Sequence, residues 1–332
     1  MATSSPVRPG TMKAWVLERY GTPDDLQLRE VPFPAFRDDH EVLVRVIASS
    51  VNPADRHNLK MPFFLRRGHG FFRPKDGRPG IDLAGRIEVV GKDVHGWHVG
   101  DEVFGVGRGA YGEYAVSDQI EVAPKPPRLS FEEAAAVPIA GVTAFQGLRD
   151  KANVRPGQRV LVNGASGGVG SFAVQIAKAL GAEVDGVCSP PNVDRAKALG
   201  ASRVFDYTRE DFTKSGQRYD VIFDTQLNHS LAAYRRTLVP GGILLAIGAG
   251  PGSVGRLLPR LIKTMIASRI AGPKTVFFIA SVRTEPLLAL KELIDAGKVT
   301  PAIDRRYPCP QVPDALRYLI AGHARAKIVI TT

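Results

Sequence analysis

Nine consecutive residues, Val162 to Gly170, constrain this chain more than any others. Val162 and Asn163 close a β-branched run. Gly164-Ala165-Ser166-Gly167-Gly168-Val169-Gly170 then turns the chain, and an apolar helical segment, Val169–Leu180, begins at once. A glycine pattern means little alone, but between a strand and a helix inside a βαβ run it is specific. Without Cβ atoms, Gly167 and Gly168 let the backbone approach a pyrophosphate, and Gly170 lets the helix pack close on the strand. The helix start offers unpaired N–H groups and partial positive charge to phosphates. Ser166, Gly167, Gly168, Val169 and Gly170 are therefore the expected pyrophosphate cradle. The usual first glycine of the pattern is Ala165 here. The competing reading is a tight turn with no ligand.

The segments around this turn alternate between strand and helix. Strands are expected over Arg159–Asn163, Glu183–Cys188, Arg203–Tyr207, Tyr219–Thr225, Gly242–Ile247 and Thr275–Ala280, with helices over Val193–Leu199 and Leu231–Leu238. That alternation predicts an α/β fold with a doubly wound parallel sheet covered on both faces. Residues 12–125 differ: short β runs (Met12–Leu17, Glu41–Ala48, Gly85–Val90, Glu102–Phe104) are broken by Gly, Pro and Asp. Ser130 with Glu132 and Glu133 opens a helix. After Ser281 come a helix over Glu285–Ala296 and a last strand over Lys327–Ile330. Domains are expected at 1–129, 130–281 and 282–332.

With 332 residues and 44% hydrophobic content, the chain is long enough for two globular domains. Met1 to Gly10 lacks the apolar core of a secretory signal, and a cytoplasmic protein is expected. Two cysteines, Cys188 and Cys309, make neither a disulfide scaffold nor a four-thiolate zinc site. The net charge of +11 is concentrated. Arg56, Lys60, Arg66, Arg67, Arg73, Lys75, Arg78 and Arg86 face only Asp76 and Asp82, and a second basic zone spans residues 250–306. Such zones point to an anionic partner: a phosphorylated cofactor, an acidic membrane surface or nucleic acid. No RNA-binding motif accompanies them.

The end of the second strand selects the cofactor. Dinucleotide folds that take NAD place a carboxylate there for the ribose hydroxyls. This chain has Cys188-Ser189-Pro190-Pro191-Asn192, with Arg195 one turn on, so NADPH is the expected cofactor. Asp185 lies three residues early as the counter-candidate, and Asp194 weakens the anion site.

Motif order adds a resemblance. Ser50-Val51-Asn52-Pro53-Ala54-Asp55, Gly100-Asp101-Glu102-Val103-Phe104-Gly105, Gly112-Glu113-Tyr114-Ala115, Ala134-Ala135-Ala136-Val137-Pro138, Gly141-Val142-Thr143-Ala144, Asp206-Tyr207 and Gly322-His323-Ala324-Arg325 recur in this order. With them the chain resembles zinc-free quinone oxidoreductases of the medium-chain dehydrogenase/reductase superfamily, chiefly the reticulon-4-interacting-protein-like and chloroplast-envelope quinone oxidoreductase-like members. The resemblance implies a GroES-like β domain split in sequence and completed by the C-terminal tail, with a Rossmann domain inserted. It places Asn52, Ile81 and Ile139 in the three catalytic zinc-ligand slots, where asparagine is a poor ligand and isoleucine none. It implies that Ser189, Tyr207 and Arg195 face the adenosine phosphate. Thr143, Gly248, Phe277 and Phe278 would border the nicotinamide side, and His323, Ala324 and Arg325 would reach the cofactor from the tail. Asn52 would orient substrate or carboxamide, and His57 is a candidate proton donor. Relatives usually have glycine where this chain has Leu227.

Without a Lewis acid to acidify a hydroxyl, the easier chemistry is hydride delivery to an electrophilic carbon. The expected function is NADPH-dependent reduction of a quinone or α,β-unsaturated carbonyl. The alternatives are an enoyl-thioester reductase, or a nucleic-acid-binding or structural protein on a reductase scaffold. A homodimer is expected through the Thr275–Ala280 strand. The amphipathic segment 256–270, with Arg256, Arg260, Lys263 and Arg269 off its apolar stripe, is read either as a packed helix or as a peripheral contact with an anionic membrane.

Overall fold

The computed structural model describes residues 10–61, 74, 77–247, 273–322 and 324–332. Most of the Pro62–Gly80 loop, all of 256–270, Gly248 and His323 lie outside the described residues. The chain divides into two compact units: Met1–Ile139 with Val282–Asp295 and Pro301–Thr332, and Ala140–Ser281 with Ala296–Thr300.

The first unit is β-rich. β1 (Thr11–Leu17) and β2 (Leu26–Pro32) form a two-stranded antiparallel sheet. β3 (Glu41–Val51) leads into α1 (Pro53–Leu59), and β4 (Asp82–Val90), β5 (Glu102–Val106), β6 (Tyr114–Asp118) and β7 (Val122–Pro124) follow. α2 (Phe131–Ala135) begins at Ser130, whose Oγ accepts from Glu133 N while Glu133 Oε2 accepts from Ser130 N, a reciprocal cap. The division falls at Ile139 rather than Leu129 because α2 packs on β3 and β4.

The second unit starts within α3 (Pro138–Phe145). β8 (Arg159–Asn163), α4 (Gly168–Ala179), β9 (Glu183–Cys188), α5 (Val193–Ala198), β10 (Arg203–Asp206), β11 (Tyr219–Asp224), α6 (Leu231–Thr237), β12 (Leu238–Ala246) and β13 (Lys274–Val276) follow. The described strands form one parallel sheet in the order β10-β9-β8-β11-β12-β13. Its interior is apolar: Leu161, Phe205, Phe212, Ile222 and Leu244 are fully buried in one cluster. Strand order reverses between β8 and β11, and a doubly wound sheet binds ligands where that happens.

β13 is shorter than expected. It ends at Val276, and Phe277 to Ala280 leave the sheet. The chain is drawn off by Gln146, which donates from Nε2 to Ser281 O (2.9 Å) and accepts from Ser281 N (3.1 Å). Ile279 is left 96% exposed.

The tail returns to the first unit. α7 (Thr284–Asp295), β14 (Ile303–Pro308), α8 (Val312–Ile320) and β15 (Lys327–Thr331) complete it. β15 runs antiparallel to β3, with Ile328 opposite Val51, giving the sheet order β14-β15-β3-β4-β5-β7 with β6 also on β3. Leu316, Ile328 and Ile330 join Trp15, Leu17 and Leu59 in one buried cluster, so the tail supplies core to strands some three hundred residues away. No described helix is long and apolar enough to cross a membrane.

Candidate active site

The glycine turn follows β8 as the sequence predicts. Gly164 sits at φ +92°, the left-handed region glycine tolerates, and a Cβ there would lie 2.2 Å from Thr225 Oγ1. Gly170 is required by packing, since a Cβ would lie 2.0 Å from Gly164 O. Gly167 differs: its Cβ would meet only Gly164 O, at 3.4 Å, so space rather than protein lies beyond it. Gly167 is also the N-cap of α4, and no side chain caps that helix start. Ser166, Gly167, Gly168 and Val169 are partly exposed around these N–H groups. The arrangement fits a pyrophosphate, which would accept from backbone donors that lack a capping side chain.

At the end of β9, Cys188 is buried, and burial followed by the nearby Asp206 carboxylate pushes its thiol up to about 11. It is no nucleophile at neutral pH. Ser189 Oγ accepts from Asn192 Nδ2 (2.8 Å), Arg195 is half-buried on α5, and Tyr207 is exposed. Asp185, the counter-candidate, is 7% exposed and already engaged: it accepts from Tyr219 OH (2.7 Å) and Arg159 Nη2 (3.3 Å). Asp206, opposite Cys188 on β10, is a further carboxylate at this strand end. Its Oδ1 accepts from Thr208 N (2.9 Å) and Thr208 Oγ1 (2.7 Å).

The far side of the turn is organised by Asp224 at the end of β11. Its carboxylate accepts from Asn163 Nδ2 (3.1 Å), Tyr234 OH (2.6 Å), Gln226 N (2.7 Å) and Leu227 N (2.8 Å). Leu227 has φ +48°, the conformation glycine favours, at a cost of about 1–2 kcal/mol for a residue with a Cβ. The Asp224 bonds and burial of Leu227 to 9% exposure offset that strain.

Thr143 lies half-buried in α3. Phe278 packs its ring edge over Gly147, 3.3 Å from where a Cβ would be, with Lys151 Nζ 5.9 Å from the ring centre. Phe277 and Phe278 therefore border the sheet edge from a non-strand segment, a correction to the expected strand. Ala324 packs against the Trp15 cluster, and Arg325 N donates to Asp304 Oδ2 (2.9 Å). Both belong to the β-rich unit.

In that unit residues far apart in the chain meet. Asn52 is 2% exposed and its amide is engaged within the unit: Nδ2 donates to Asp82 Oδ2 (2.8 Å), and Oδ1 accepts from Lys327 Nζ (2.6 Å). Lys327 also donates to Asp82 Oδ2 (3.2 Å) and Val51 O (3.3 Å), and Ser50 Oγ donates to Asp82 Oδ2 (2.7 Å). Asp82 Oδ1 accepts from Ile139 N (3.0 Å). Below this network, Asp55 Oδ2 accepts from Asn52 N (2.7 Å) and Tyr111 OH (2.9 Å), while Asp55 Oδ1 is buried with no partner. Burial pushes the Asp55 carboxyl up to about 7 against the lowering effect of those two donors. His57, half-buried on α1, has its imidazolium disfavoured by burial and then by Arg56, which weakens it as a proton donor at neutrality.

A β-rich unit completed by its own tail, with a glycine-turned parallel unit inserted, defines an oxidoreductase of the dinucleotide-fold class. Residues 38–127 match the alcohol dehydrogenase GroES-like domain and residues 199–330 the zinc-binding dehydrogenase model. A 2-methylene-furan-3-one reductase of Solanum lycopersicum is 33% identical over 97% of this chain and 79% of its own length. The mitochondrial NAD(P)H oxidoreductase RTN4IP1 of Mus musculus is 33% identical over 99% of this chain and 91% of its own. The quinone oxidoreductase structure from Coxiella burnetii superposes with a TM-score of 0.83 at 27% identity, covering 97% of this chain and all of that one. The chain belongs to the medium-chain dehydrogenase/reductase family.

The zinc in one family model's description does not fit the residues present. Asn52 Oδ1 is held by an ammonium 2.6 Å away, which repels a cation, and Ile81 and Ile139 carry no side-chain donor. Among the described residues, no three His, Cys, Asp or Glu side chains gather to hold a metal.

Proposed function

We propose that this chain is an NADPH-dependent reductase that delivers hydride to a quinone or an α,β-unsaturated carbonyl without a catalytic metal. The observation that carries the reading is the start of α4: a twelve-residue helix opening at Gly167-Gly168 with no capping side chain, at the switch point of a parallel sheet. Bound NADPH would supply the hydride. The backbone N–H groups at Gly168 and Val169 hold its pyrophosphate. Ser189 and Arg195 take the 2′-phosphate, and Tyr207 lies beside them. The engagement of Asp185 with Tyr219 and Arg159 supports this preference, because the β9 carboxylate is turned to structural use. Thr143 and Phe278 serve the nicotinamide side.

The reaction class follows from the donor set. A site whose ligand slots hold an amide bound to lysine and two isoleucines cannot acidify an alcohol, so its substrate carbon must already be electrophilic. The Asn52–Asp82–Lys327 network rigidifies the β-rich unit. The product anion is then protonated, and His57 on α1 is the candidate donor. A homodimer forms through β13, the last strand of the sheet among the described residues, beyond which Ile279 stands exposed. The test is to follow NADPH and NADH consumption with quinones, enones and aldehydes. Turnover of quinones or enones well above aldehydes, with NADPH preferred, is expected. Alcohol oxidation by NADP without any enone or quinone turnover overturns the reading.

A further inference from the structure

Asp224 joins the sheet of the inserted unit to the turn that follows it. It ends β11, opposite Asn163 at the end of β8, and is fully buried. Of the donors to its carboxylate, the Tyr234 hydroxyl comes from furthest along the chain. The Tyr234 ring sits in the buried cluster with Leu161, Phe212 and Ile222 and meets the His229 ring edge-on, 5.9 Å between centres. Its hydroxyl accepts from His229 N (3.3 Å) and donates to Asp224 Oδ2 (2.6 Å). The packed core thus sets where the hydroxyl stands, and the hydroxyl sets where the carboxylate stands.

The carboxylate in turn places residues 225–227. Leu227, at φ +48°, is a backbone outlier of the kind that persists only where its surroundings over-determine it and that gathers at functional sites. The bonds from Gln226 N and Leu227 N to Asp224 Oδ1 hold it there. Just before them, Thr225 donates to Asn163 O from N (3.1 Å) and from Oγ1 (2.9 Å). Thr225 Oγ1 and Gln226 Nε2 fill the space that a Cβ on Gly164 would need, 2.2 and 2.9 Å from it, so they bear directly on the glycine turn. Gly164 O then accepts from N of Gly167, the N-cap of α4 (3.0 Å). On its other flank the turn is tied to β9 by backbone, with Gly164 N and Ala165 N both donating to Val187 O at 3.0 Å. One side of the turn is therefore fixed by the sheet, and the other by a chain of contacts that ends at Tyr234.

We propose that Tyr234 is a positioning residue for the dinucleotide: acting through Asp224 and residues 225–227, its hydroxyl keeps the glycine turn in the conformation that takes the pyrophosphate. Only 1% exposed, it acts from within the core. This rests on the reading that the start of α4 binds a pyrophosphate. Apparent affinity falls with the fraction of chains in the binding-competent conformation, so a loosened turn weakens binding without losing a contact to the ligand.

The test compares the intact protein with Tyr234→Phe and with Thr237→Val. The second variant removes another buried hydroxyl bond from the same helix, Thr237 Oγ1 to Ala233 O (2.9 Å), and makes no contact with the turn. Calorimetry measures binding of NADPH, of 2′-phospho-ADP-ribose, which keeps the pyrophosphate, and of adenosine 2′-phosphate, which has none. Urea titrations measure stability in parallel. Tyr234→Phe should weaken the two pyrophosphate ligands by about five- to tenfold, the range of one hydrogen bond, and leave adenosine 2′-phosphate within about twofold. Thr237→Val should lower the urea midpoint and leave all three ligands within about twofold. A Tyr234→Phe protein that loses stability with all three affinities unchanged overturns the proposal and makes Tyr234 a core residue only. Equal weakening of all three ligands also overturns it, because the unit has then loosened as a whole. If Tyr234→Phe does not fold, Thr225→Val breaks the same chain at its bond to Asn163 O and is judged by the same outcomes. If the intact protein binds adenosine 2′-phosphate as tightly as the two pyrophosphate ligands, the pyrophosphate reading itself fails and takes the proposal with it.

Discussion

Replacing Asp55 by asparagine should remove a pH-dependent contribution to stability. Asp55 is 2% exposed, its Oδ1 has no partner, and burial pushes its carboxyl from 3.8 to about 7. Asp82 adds to that rise and Lys327 opposes it, both less than burial. A carboxyl whose folded pKa is raised is more stable protonated in the folded chain. Its stabilising contribution is present below about pH 4 and lost as pH rises toward about 7. Three pKa units at 1.36 kcal/mol each amount to about 4 kcal/mol over that window. Asparagine keeps the geometry, because the single oxygen Oδ2 accepts both the Asn52 N–H and the Tyr111 hydroxyl. Its NH2 takes the place of the unpartnered oxygen and costs about 1–3 kcal/mol at every pH. Both tryptophans, Trp15 and Trp97, lie in the β-rich unit, so their fluorescence in a urea titration reports its unfolding. Between about pH 5 and pH 8 the parent should lose roughly 3 kcal/mol relative to Asp55→Asn. A difference that stays constant across that range refutes the reasoning and means that Asp55 is ionised throughout.

Lys327→Met should destabilise the β-rich unit by about 3–5 kcal/mol, because Asp82 then keeps a buried charge without its cation, and the same urea titration reads it. Arg195→Ala should weaken NADPH binding by about 1–3 kcal/mol and leave NADH binding unchanged, as measured by cofactor fluorescence. Light scattering at micromolar concentration should give a species of twice the 35.8 kDa chain mass, and Val276→Pro, on the last described strand of the sheet, should split it while cofactor binding persists.

The inserted unit was legible because its signals are local. A β-branched run ending at a glycine turn, and another ending at Cys188, are complete within ten residues, and both strands end where the pattern placed them. Tertiary forces decided the rest. Phe277 to Ala280 has a strand-like composition, yet Gln146, far back in the chain, holds Ser281 and draws the segment off the sheet. Asn52 looked available as a lone amide because its partner is Lys327, 275 residues away. The available hints were an aspartate at the head of one strand and a lysine at the head of the last, but only the pairing of both β15 and β4 with β3 brings them together. Asp55, inside the Asn52-Pro53-Ala54-Asp55 stretch, gave no sign that its second oxygen would be buried alone. Leu227 shows the reverse case, a side chain that argues against a turn the Asp224 carboxylate nevertheless enforces.

The central claim is hydride transfer to an electrophilic acceptor without a metal, and elemental analysis joined to turnover tests it most directly. Protein dialysed against a strong chelator is assayed for zinc per chain and for NADPH-dependent reduction of an enone and a quinone. Far less than one zinc per chain, with reduction as fast as before chelation, is the predicted result. One zinc per chain whose removal abolishes turnover, and whose return restores it, would contradict the account.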